Sequence, residues 1–451
     1  MRIGMVYSAS ISYEIGGGPP YEYREIWTPL GIAYPLAMIK KYHPEIELKI
    51  FDQAYSKASN EKMLKLILEE HLDLIGFSSY IWNSQSILNW IIKLKKSCPD
   101  IKIVIGGPHF TYLAIKLMET LKELDFIIMK EGEIPFLHLI KEILENNENY
   151  EKIPNLIYRK DGKIIANPIE NPPIILDNYE SPYLTGVLDK YLNGKCKHIG
   201  LQTSRGCPFN CEYCAWNCQS TYNDFQRVRY FSINRVIDEL RYIKNKIPND
   251  PLIEIYDATF NENPARLFKL CKKIQENNLK MRYAVRIRSD LLNTKQIDAL
   301  KSMNVWIIKT GIESIGESLY TVKRSQSIKK IKQNFLKINE TGIYISGNIM
   351  IGLPNQTRRE IIKTIKFAKR IGVDVATINI FEAPPSSDIY FNPKKYKMIK
   401  KETFRDGRII LESDFLKRKH ILKLGKYGNY ILNYNLNEIK IKEFKNLKAF
   451  S

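Results

Sequence analysis

Three closely spaced cysteines are the residues of this 451-residue sequence best placed to do chemistry. The segment GLQTSRGCPFNCEYCAW carries Cys207, Cys211 and Cys214, with three and then two residues between successive cysteines. Three thiolates at this spacing can bind one cubane cluster and leave its fourth iron open, where a small molecule can bind and receive an electron. The spacing therefore predicts a [4Fe–4S] centre with one reactive iron.

The same cysteines, completed by Cys218, allow a second interpretation as a four-cysteine zinc site. Zinc sites usually consist of two Cys-x2–4-Cys pairs that are separated by a longer loop. Here one compact run of cysteines precedes a repeating strand and helix pattern, which favours the iron–sulfur cluster. We therefore expect Cys218 to be a bystander. Its other possible roles are those of a structural thiol or of a cluster ligand when the small molecule is absent.

The elements that must position these cysteines form a series of strands and helices that begins at Ile199. Apolar runs predict six strands, namely IGLQTSRG, LIEIYDATF, MRYAVRIRS, VWIIKTGIES, YISGNIMIGLP and VATINIFEAPP. Amphipathic segments predict helices near 234–246, 264–276, 294–303, 329–340 and 359–370. Six repeats fit a partial (β/α)6 barrel over 196–390 better than a closed eight-fold barrel. Chemistry in such folds lies at the carboxyl ends of the strands.

The cysteine segment closely resembles the signature of the radical S-adenosylmethionine (SAM) superfamily, including the aromatic Tyr213 before the last cysteine. The resemblance implies that the open iron binds the amino and carboxylate groups of SAM, whose reductive cleavage gives methionine and a 5′-deoxyadenosyl radical. Later strand ends resemble the SAM contacts of that superfamily. These are Asp257 and Thr259 for the amino group, Arg286 and Arg288 for the methionine carboxylate, Gly311, Glu313 and Ser314 for the ribose and methionine, and GNIMIGLP and FEAPPSS for the adenine.

Residues 1–144 predict a Rossmann-like α/β domain, because short apolar strands alternate with longer amphipathic helices. This alternation implies a parallel sheet that is covered on both faces. Residues 145–195 are rich in Asn, Pro and charge and predict a linker with one hairpin around Lys160-Asp161-Gly162. Residues 391–451 predict a small basic C-terminal extension.

The N-terminal order of GFSS followed by IVIGGPH resembles the cobalamin-binding domain. The resemblance aligns Ser78 with the serine after the third strand of that fold, and Gly106 and Gly107 with its paired glycines beside the nucleotide tail. A Cβ atom there would collide with a ligand lying on the strand end. The alternatives are a domain of this fold that binds no ligand, or one that serves as a docking surface.

The loop after the first predicted strand departs from a frequent cobalamin pattern. Many cobalamin proteins carry Asp-x-His-x-x-Gly there, but SASISYEIGGGPPYEYREIWTP contains no histidine. The resemblance therefore implies a cobalt without a histidine from this motif, as is common in the cobalamin-dependent radical SAM enzymes, which the two-domain order resembles overall. His109 lies near the corrin edge in one interpretation and is a structural residue in the other. Tyr80 and Trp82 either line the lower face of the corrin or pack in the ordinary way.

The resemblance implies a methyltransferase that moves a methyl group from methylcobalamin to an unactivated carbon through a 5′-deoxyadenosyl radical, with a phosphinate phosphorus as a secondary target. Its cofactors would be the [4Fe–4S] cluster, SAM and cobalamin, and its partner an external one-electron reductant of the flavodoxin or ferredoxin type. A second hypothesis keeps the cofactors but replaces methylation with cyclisation, ring contraction or carbon–carbon coupling. A third, an RNA-modifying methylthiotransferase, needs three more cluster cysteines, whereas residues 1–195 contain only Cys98.

Composition and charge leave the substrate open. With 44% hydrophobic and 26% charged residues and no apolar run of about 18 residues, the chain predicts a folded protein without a membrane span. MRIGMVYSAS predicts a strand rather than a signal peptide, so we expect a cytoplasmic protein. Residues 391–451 hold 16 Lys and Arg against 6 Asp and Glu. A solvated helical face explains this charge better than nucleic acid, for which no motif is present. A small molecule, a lipid or a peptide fits, with Tyr427 and Tyr430 as candidate contacts.

Overall fold

Two compact units make up the part of the chain that this computed structural model describes, which is 1–8, 26–196, 198–214, 228–247, 251–404 and 406–433. The first unit contains 1–8 and 26–193, together with 404 and 406–408. The second contains the described residues of 194–403 and 409–433. Among the helices of these ranges, none combines the length and the apolar character that crossing a membrane requires.

A seven-stranded sheet forms the centre of the first unit. Its strands are β1 (Arg2–Tyr7), β2 (Glu47–Asp52), β3 (Leu74–Ser78), β4 (Lys102–Gly106), β5 (Phe126–Ile128), β6 (Leu156–Lys160) and β7 (Lys163–Ala166). The helices are α1 (Leu30–Tyr42), α2 (Asn60–Leu68), α3 (Ser84–Ser97), α4 (Ala114–Thr120) and α5 (Glu133–Leu144). The strand order is β2-β1-β3-β4-β5-β6-β7. Its first five strands are parallel in the doubly wound order, which confirms the predicted Rossmann-like fold.

Two separate hydrophobic cores cover the two faces of this sheet. On β3 and β4, Ile75, Phe77 and Ile105 belong to one core, while Leu74 and Val104 belong to the other. Successive strand residues point to opposite faces, so a sheet covered on both sides requires strands that are apolar at almost every position. The apolar runs of the sequence therefore place these strands at the centre of the unit and leave their polar carboxyl ends at one edge.

Residues 145–193, most of the predicted linker, belong to the first unit. β6 pairs antiparallel with both β5 and β7, so this segment extends the parallel sheet by a hairpin. The turn of the hairpin lies at Asp161 and Gly162, whose φ angles are 51° and 74°. An Asp-Gly pair with positive φ at both positions gives the two-residue turn that matches the twist of the strands. The hairpin lies where the sequence predicts it.

The second unit is built on six parallel strands. Its strands are β8 (His198–Leu201), β9 (Ser204–Gly206), β10 (Val228–Tyr230), β11 (Leu252–Ile255), β12 (Arg282–Ile287), β13 (Val305–Glu313), β14 (Tyr344–Ile351) and β15 (Val375–Ile380). The helices are α6 (Ile233–Lys246), α7 (Pro264–Glu276), α8 (Thr294–Ser302), α9 (Ser318–Thr321), α10 (Ile328–Asn339) and α11 (Arg358–Arg370). The parallel order is β8-β11-β12-β13-β14-β15, and β9 and β10 form a separate antiparallel pair. This sequential order confirms the partial (β/α)6 barrel.

Side-chain caps determine where the barrel helices begin. At the starts of α6, α7, α8, α10 and α11 the N-cap side chain accepts a hydrogen bond from a backbone N–H group. The capping residues are Ser232, Asn263, Asn293, Ser327 and Thr357. Each such cap satisfies a donor that the first helical turn leaves unpaired and contributes about 1 kcal/mol. The caps therefore fix the loops that carry polar residues at the carboxyl edge of the barrel sheet.

The described chain ends with α12 (Asp388–Phe391), β16 (Met398–Thr403), β17 (Ile409–Ser413) and α13 (Arg418–Asn433). β16 pairs antiparallel with β17, and the described residues between them belong to the first unit. There the buried Asp406 accepts a hydrogen bond from Oγ of Ser84 at 2.8 Å, and its carbonyl accepts one from Nε2 of His109 at 2.7 Å. His109 is buried, and burial lowers the pKa of its imidazole. These contacts favour the structural interpretation of His109.

Candidate functional site

The three predicted cluster ligands lie on one short loop, here called the cluster loop (residues 207–214), which directly follows β9. Cys211 is buried, whereas Cys207 and Cys214 are partly exposed. The amide of Cys214 donates to the carbonyl of Cys211 at 3.1 Å and closes the turn between them. The loop thus begins a few residues after the carboxyl end of β8, the first barrel strand, which is where folds of this kind carry their chemistry.

Side chains from two other strand ends hold the start of the cluster loop. The guanidinium of Arg288 lies 4.2 Å from the ring centroid of Phe209. Oγ1 of Thr259 is 3.8 Å from Sγ of Cys207. Arg288 itself makes two hydrogen bonds to Asp290, of 2.9 and 2.8 Å. Two of the predicted SAM-binding residues therefore contact the cluster loop directly, and Arg288 already has a carboxylate partner.

Asp257 fixes the backbone that leads into the cluster loop. Its carboxylate accepts hydrogen bonds from the amides of Thr203 and Ser204 at 2.7 and 2.9 Å and from the hydroxyl of Thr203 at 2.5 Å. The side chain is 2% exposed, and this burial raises the pKa of its carboxyl group while the hydrogen bonds oppose the shift. Asp257 therefore orients the strand ahead of the cysteines.

Replacing Asp257 by alanine will destabilise the second unit by about 3 kcal/mol, because the buried donors of Thr203 and Ser204 lose their acceptor. Asn, which keeps one carboxamide oxygen, will cost less. Denaturant unfolding followed by circular dichroism measures the change. Asp298→Ala, at an exposed position on α8, is the matched control and leaves the midpoint unchanged. An unchanged midpoint for Asp257→Ala would contradict the anchoring role.

Arg324 is a site residue that the sequence did not reveal. It is buried, and Nη1 donates to the hydroxyl of Tyr213 at 2.8 Å and lies 4.0 Å from Sγ of Cys211. Nη2 donates to the carbonyl of Gly311 at 2.7 Å, at the end of β13. A guanidinium at this position can offset part of the negative charge that metal-bound thiolates bring to the loop. The signal in the sequence was a basic pair in the loop after a barrel strand, Lys323-Arg324.

Glu313 presents a buried carboxylate oxygen without a partner. Its Oε2 makes no hydrogen bond to any residue in the part of the chain that the structure describes, although Glu313 is 8% exposed. The residue ends β13 at a register shift and has a φ of 56°, which is strained for a non-glycine residue. Burial raises the pKa of its carboxyl group, and the charge of Arg324 lowers it. A buried acceptor held in a strained conformation suits a ligand hydroxyl or ammonium group.

Two other predicted SAM contacts are engaged elsewhere. The hydroxyl of Ser314 is buried and donates to Oε1 of Glu360 on α11 at 2.5 Å. Arg286 lies on β12 and binds Glu254 at 2.7 Å, inside the barrel sheet. The structure thus brings Thr259, Arg288 and the missed Arg324 to the cluster loop. It gives Ser314 and Arg286 partners on α11 and β11.

Among the described residues, no three His, Cys, Asp or Glu side chains are grouped around a single ion position. A cubane differs from a single ion because each of three thiolates binds a different iron. Cys218, which the zinc interpretation needs, lies outside the described residues, as does most of the loop after β1.

The predicted cobalamin residues meet at one edge of the first unit. Ser78 and Gly106 are register partners and the last residues of β3 and β4. Gly107 follows with a φ of 95°, and a Cβ there would lie 2.5 Å from the carbonyl oxygen of Ser79. Among the described residues, a Cβ on Gly106 would meet only the carbonyl oxygen of Ile128, at 3.8 Å. Gly107 is therefore required by the fold, while Gly106 has room for a Cβ among the described residues at the strand end.

Two aromatic residues follow β3. The rings of Tyr80 and Trp82 stack with centroids 4.5 Å apart and planes 4° apart, and Trp82 is 40% exposed. The stacking and the exposure of Trp82 are compatible with both earlier interpretations. Tyr427 and Tyr430 lie on α13 and are 40% and 58% exposed.

Two known family models match the chain, one mainly in each unit. Residues 22–140 match the family model of the B12 binding domain. Residues 201–368 match that of the radical SAM superfamily. The chain is a cobalamin-dependent radical SAM enzyme. Its cofactors are a [4Fe–4S] cluster, SAM and cobalamin.

Proteins of known sequence and structure are similar to this chain over most of its length. The enzyme is 28% identical over 374 residues to a protein of Pyrococcus horikoshii named as an uncharacterized methyltransferase, covering 80% of this chain and 77% of that protein. It is 23% identical to an anaerobic magnesium-protoporphyrin IX monomethyl ester cyclase of Rubrivivax gelatinosus, covering 94% and 76%. Its fold is similar to that of the radical SAM methyltransferase TsrM of Kitasatospora setae, with a TM-score of 0.73 and 12% identity over both whole chains.

The residues of this radical SAM enzyme fit its cofactors. The cluster loop supplies three thiols, with a guanidinium 4.0 Å from one of them. Oε2 of Glu313 is a buried acceptor that no described residue uses, and a hydroxyl or ammonium group of SAM would satisfy it. In the first unit, the paired strand ends of β3 and β4 leave space beside Gly106 where a cobalamin substituent can approach the backbone.

Proposed function

We propose that this enzyme methylates an unactivated carbon of its substrate with a methyl group taken from enzyme-bound cobalamin. The main support for the proposal is that one chain contains both the strand end at Ser78 and Gly106, where cobalamin would bind, and the cluster loop. The name of the Pyrococcus relative, a methyltransferase, favours the same reaction. When bound, the cluster and SAM supply a carbon-centred radical, and cobalamin supplies the methyl group.

The side chains of the second unit bind and orient rather than transfer protons. Cys207, Cys211 and Cys214 hold the cluster in this proposal, and Arg324 places a positive charge next to Cys211. Glu313 accepts a hydrogen bond from a hydroxyl or ammonium group of SAM through Oε2. Hydrogen abstraction by a radical needs no protein base. Asp257 is accordingly committed to structure, because its carboxylate binds the backbone of 203 and 204.

Labelled SAM tests the proposal without a known substrate. The enzyme is reconstituted anaerobically with iron, sulfide and hydroxocobalamin, then given SAM with a deuterated methyl group and a one-electron reductant of the flavodoxin or ferredoxin type. We expect the label on the bound cobalamin, together with S-adenosylhomocysteine, in the absence of any substrate. Iron without cobalt, or cobalamin that never acquires the label, would exclude methyl transfer by this route.

Cyclisation is the second candidate function, because a relative from Rubrivivax gelatinosus that aligns with 94% of this chain is named as a cyclase. The two functions differ in product mass. Methylation adds one methylene and consumes SAM both as radical source and as methyl donor, so 5′-deoxyadenosine and S-adenosylhomocysteine form together. Cyclisation removes hydrogens and forms 5′-deoxyadenosine without S-adenosylhomocysteine. High-resolution mass spectrometry of the product decides between them.

A further inference from the structure

Arg324 places a buried guanidinium against the cluster loop. The residue is 9% exposed and lies between α9 and α10. Nη1 is 4.0 Å from Sγ of Cys211, which is within reach of a weak hydrogen bond to sulfur, and it donates to the hydroxyl of Tyr213 at 2.8 Å. The positive charge of Arg324 therefore lies next to one of the three thiols that fit the cluster.

The other hydrogen-bond partners of Arg324 are neutral. Nε donates to Oε1 of Gln326 at 2.8 Å, and Nη2 donates to the carbonyl of Gly311 at 2.7 Å. In the part of the chain that the structure describes, no carboxylate oxygen lies within 4.0 Å of this guanidinium. The carboxylate of Glu313 acts on it electrostatically but forms no ion pair with it. The guanidinium is thus held in place by groups that carry no charge.

Arg288, the second arginine that contacts the cluster loop, has a different environment. It makes two hydrogen bonds to Asp290, of 2.9 and 2.8 Å, so this pair of side chains adds no net charge. Burying a cation without such a direct carboxylate partner is costly. The thiolates of a bound cluster would supply the negative charge that Arg324 lacks. Of these two arginines, Arg324 is therefore the one whose charge acts on the cluster.

Reduction of the cluster adds one negative charge to a site that three thiolates have already made negative. Net charge and hydrogen bonds to the sulfurs are among the factors that set the reduction potential of an iron–sulfur cluster. A fixed positive charge stabilises the reduced state more than the oxidised state, because the attraction grows with the charge that it faces. Burial strengthens this effect, since solvent screens buried charges less than exposed ones.

We propose that Arg324 raises the reduction potential of the cluster and so makes its reduction by an external one-electron donor easier. The step is the transfer of one electron from that donor to the bound cluster, in which no bond forms or breaks and no proton moves. Arg324 acts through Cys211 and is therefore a positioning residue. Cluster reduction precedes methylation and cyclisation alike, so the inference does not depend on the proposed function.

The midpoint potential of the cluster is the measurement, made on holoenzyme that carries ⁵⁷Fe and cobalamin but no SAM. Mössbauer spectra of samples poised at a series of potentials give the fraction of reduced cluster, and cobalt does not contribute to them. Arg324→Gln removes the charge and should lower the ratio of reduced to oxidised cluster about tenfold at a fixed potential, which is about 59 mV for one electron. Arg324→Lys keeps the charge and should change the ratio by less than about threefold.

Three further variants separate the effect of charge from other effects. Tyr213→Phe removes the hydroxyl that accepts from Nη1 but leaves the charge, so the ratio should change by less than about threefold. Glu313→Gln alters the same surroundings without removing a positive charge and should not lower the potential. Lys330→Gln removes a positive charge at an exposed position on α10 and should have no effect.

Iron, sulfide and cobalamin contents show that each variant is folded and loaded. A fully loaded Arg324→Gln enzyme with an unchanged potential overturns the proposal. An equal decrease in Arg324→Lys or in Glu313→Gln also overturns it, because disturbed packing rather than charge would then be the cause. If Arg324→Gln binds no iron, Arg324→Lys decides the question. It should match the unchanged enzyme in iron content and potential, and a decrease in either overturns the proposal.

Discussion

Alanine at Cys207, Cys211 or Cys214 will remove the iron–sulfur cluster, so that iron falls from about four atoms per reconstituted chain to near zero. Each thiolate holds a separate iron of the cubane, and no other cysteine among the described residues belongs to the cluster loop. Cleavage of SAM to 5′-deoxyadenosine will be lost with the cluster. Colorimetric iron and sulfide assays and the visible spectrum of the reconstituted enzyme measure the effect.

The cluster loop should keep its conformation in these variants. Arg288 lies against Phe209, and Arg324 donates to Tyr213, so two contacts that hold the loop remain when a cysteine side chain is removed. Cobalamin content, which depends on the first unit, should therefore be unchanged. Cys218→Ala is the matched control and should retain iron, as should Cys98→Ala. Iron retained in Cys211→Ala, or zinc in place of iron, would contradict the cluster assignment.

The sequence predicted those features that depend on a local pattern of residue types. Alternating apolar strands and amphipathic helices specified both α/β units, and Asp161-Gly162 specified a two-residue turn. The spacing of three cysteines likewise predicted a loop site before any strand pairing was known. Such signals are local, because periodicity, turn chemistry and metal-ligand spacing all operate within about twenty residues.

The partners of charged residues could not be predicted in the same way. Arg286, Arg288 and Arg324 are chemically equivalent in the sequence, yet Arg288 pairs with Asp290 and Arg324 with the cluster loop. Which partner each arginine finds depends on strand register, since register decides which side chains share a level of the barrel. Residues 145–193 show the same limit, because their antiparallel pairing with β5 joins segments far apart in sequence.

Ser314 shows a further limit of motif-based assignment. It directly follows Glu313, but its hydroxyl binds Glu360 of α11 and is fully buried. Ser314 lies just beyond the end of β13, where the positive φ of Glu313 turns the backbone, so the two side chains need not face the same way. The register shift at the end of β13 decides which way each one points, and a sequence motif contains no such information. Glu313, with its unpaired Oε2, is therefore the stronger candidate for a ligand contact.

Replacing Gly107 or Gly106 by alanine should distinguish an effect on the stability of the first unit from an effect on cobalamin binding. A Cβ on Gly107 would lie 2.5 and 2.6 Å from the backbone oxygen and nitrogen of Ser79, at a φ of 95°. Backbone atoms cannot turn aside as a side chain can, so Gly107→Ala should lower the free energy of unfolding by about 2–5 kcal/mol. Cobalamin binding should be lost with the fold. Denaturant unfolding and cobalamin absorbance after desalting measure the two effects.

Gly106→Ala should instead keep the fold and weaken cobalamin binding about tenfold or more, because the new methyl group occupies the space at the end of β4. Of the residues that the structure describes, a Cβ there meets only the carbonyl oxygen of Ile128, at 3.8 Å, so stability should change by less than about 1 kcal/mol. Gly162→Ala is the control for backbone strain, since it has a φ of 74° but nothing within 4 Å, and it should retain cobalamin. Undiminished cobalamin binding in Gly106→Ala would show that the nucleotide tail does not approach β4, and the proposed site in the first unit would have to lie elsewhere.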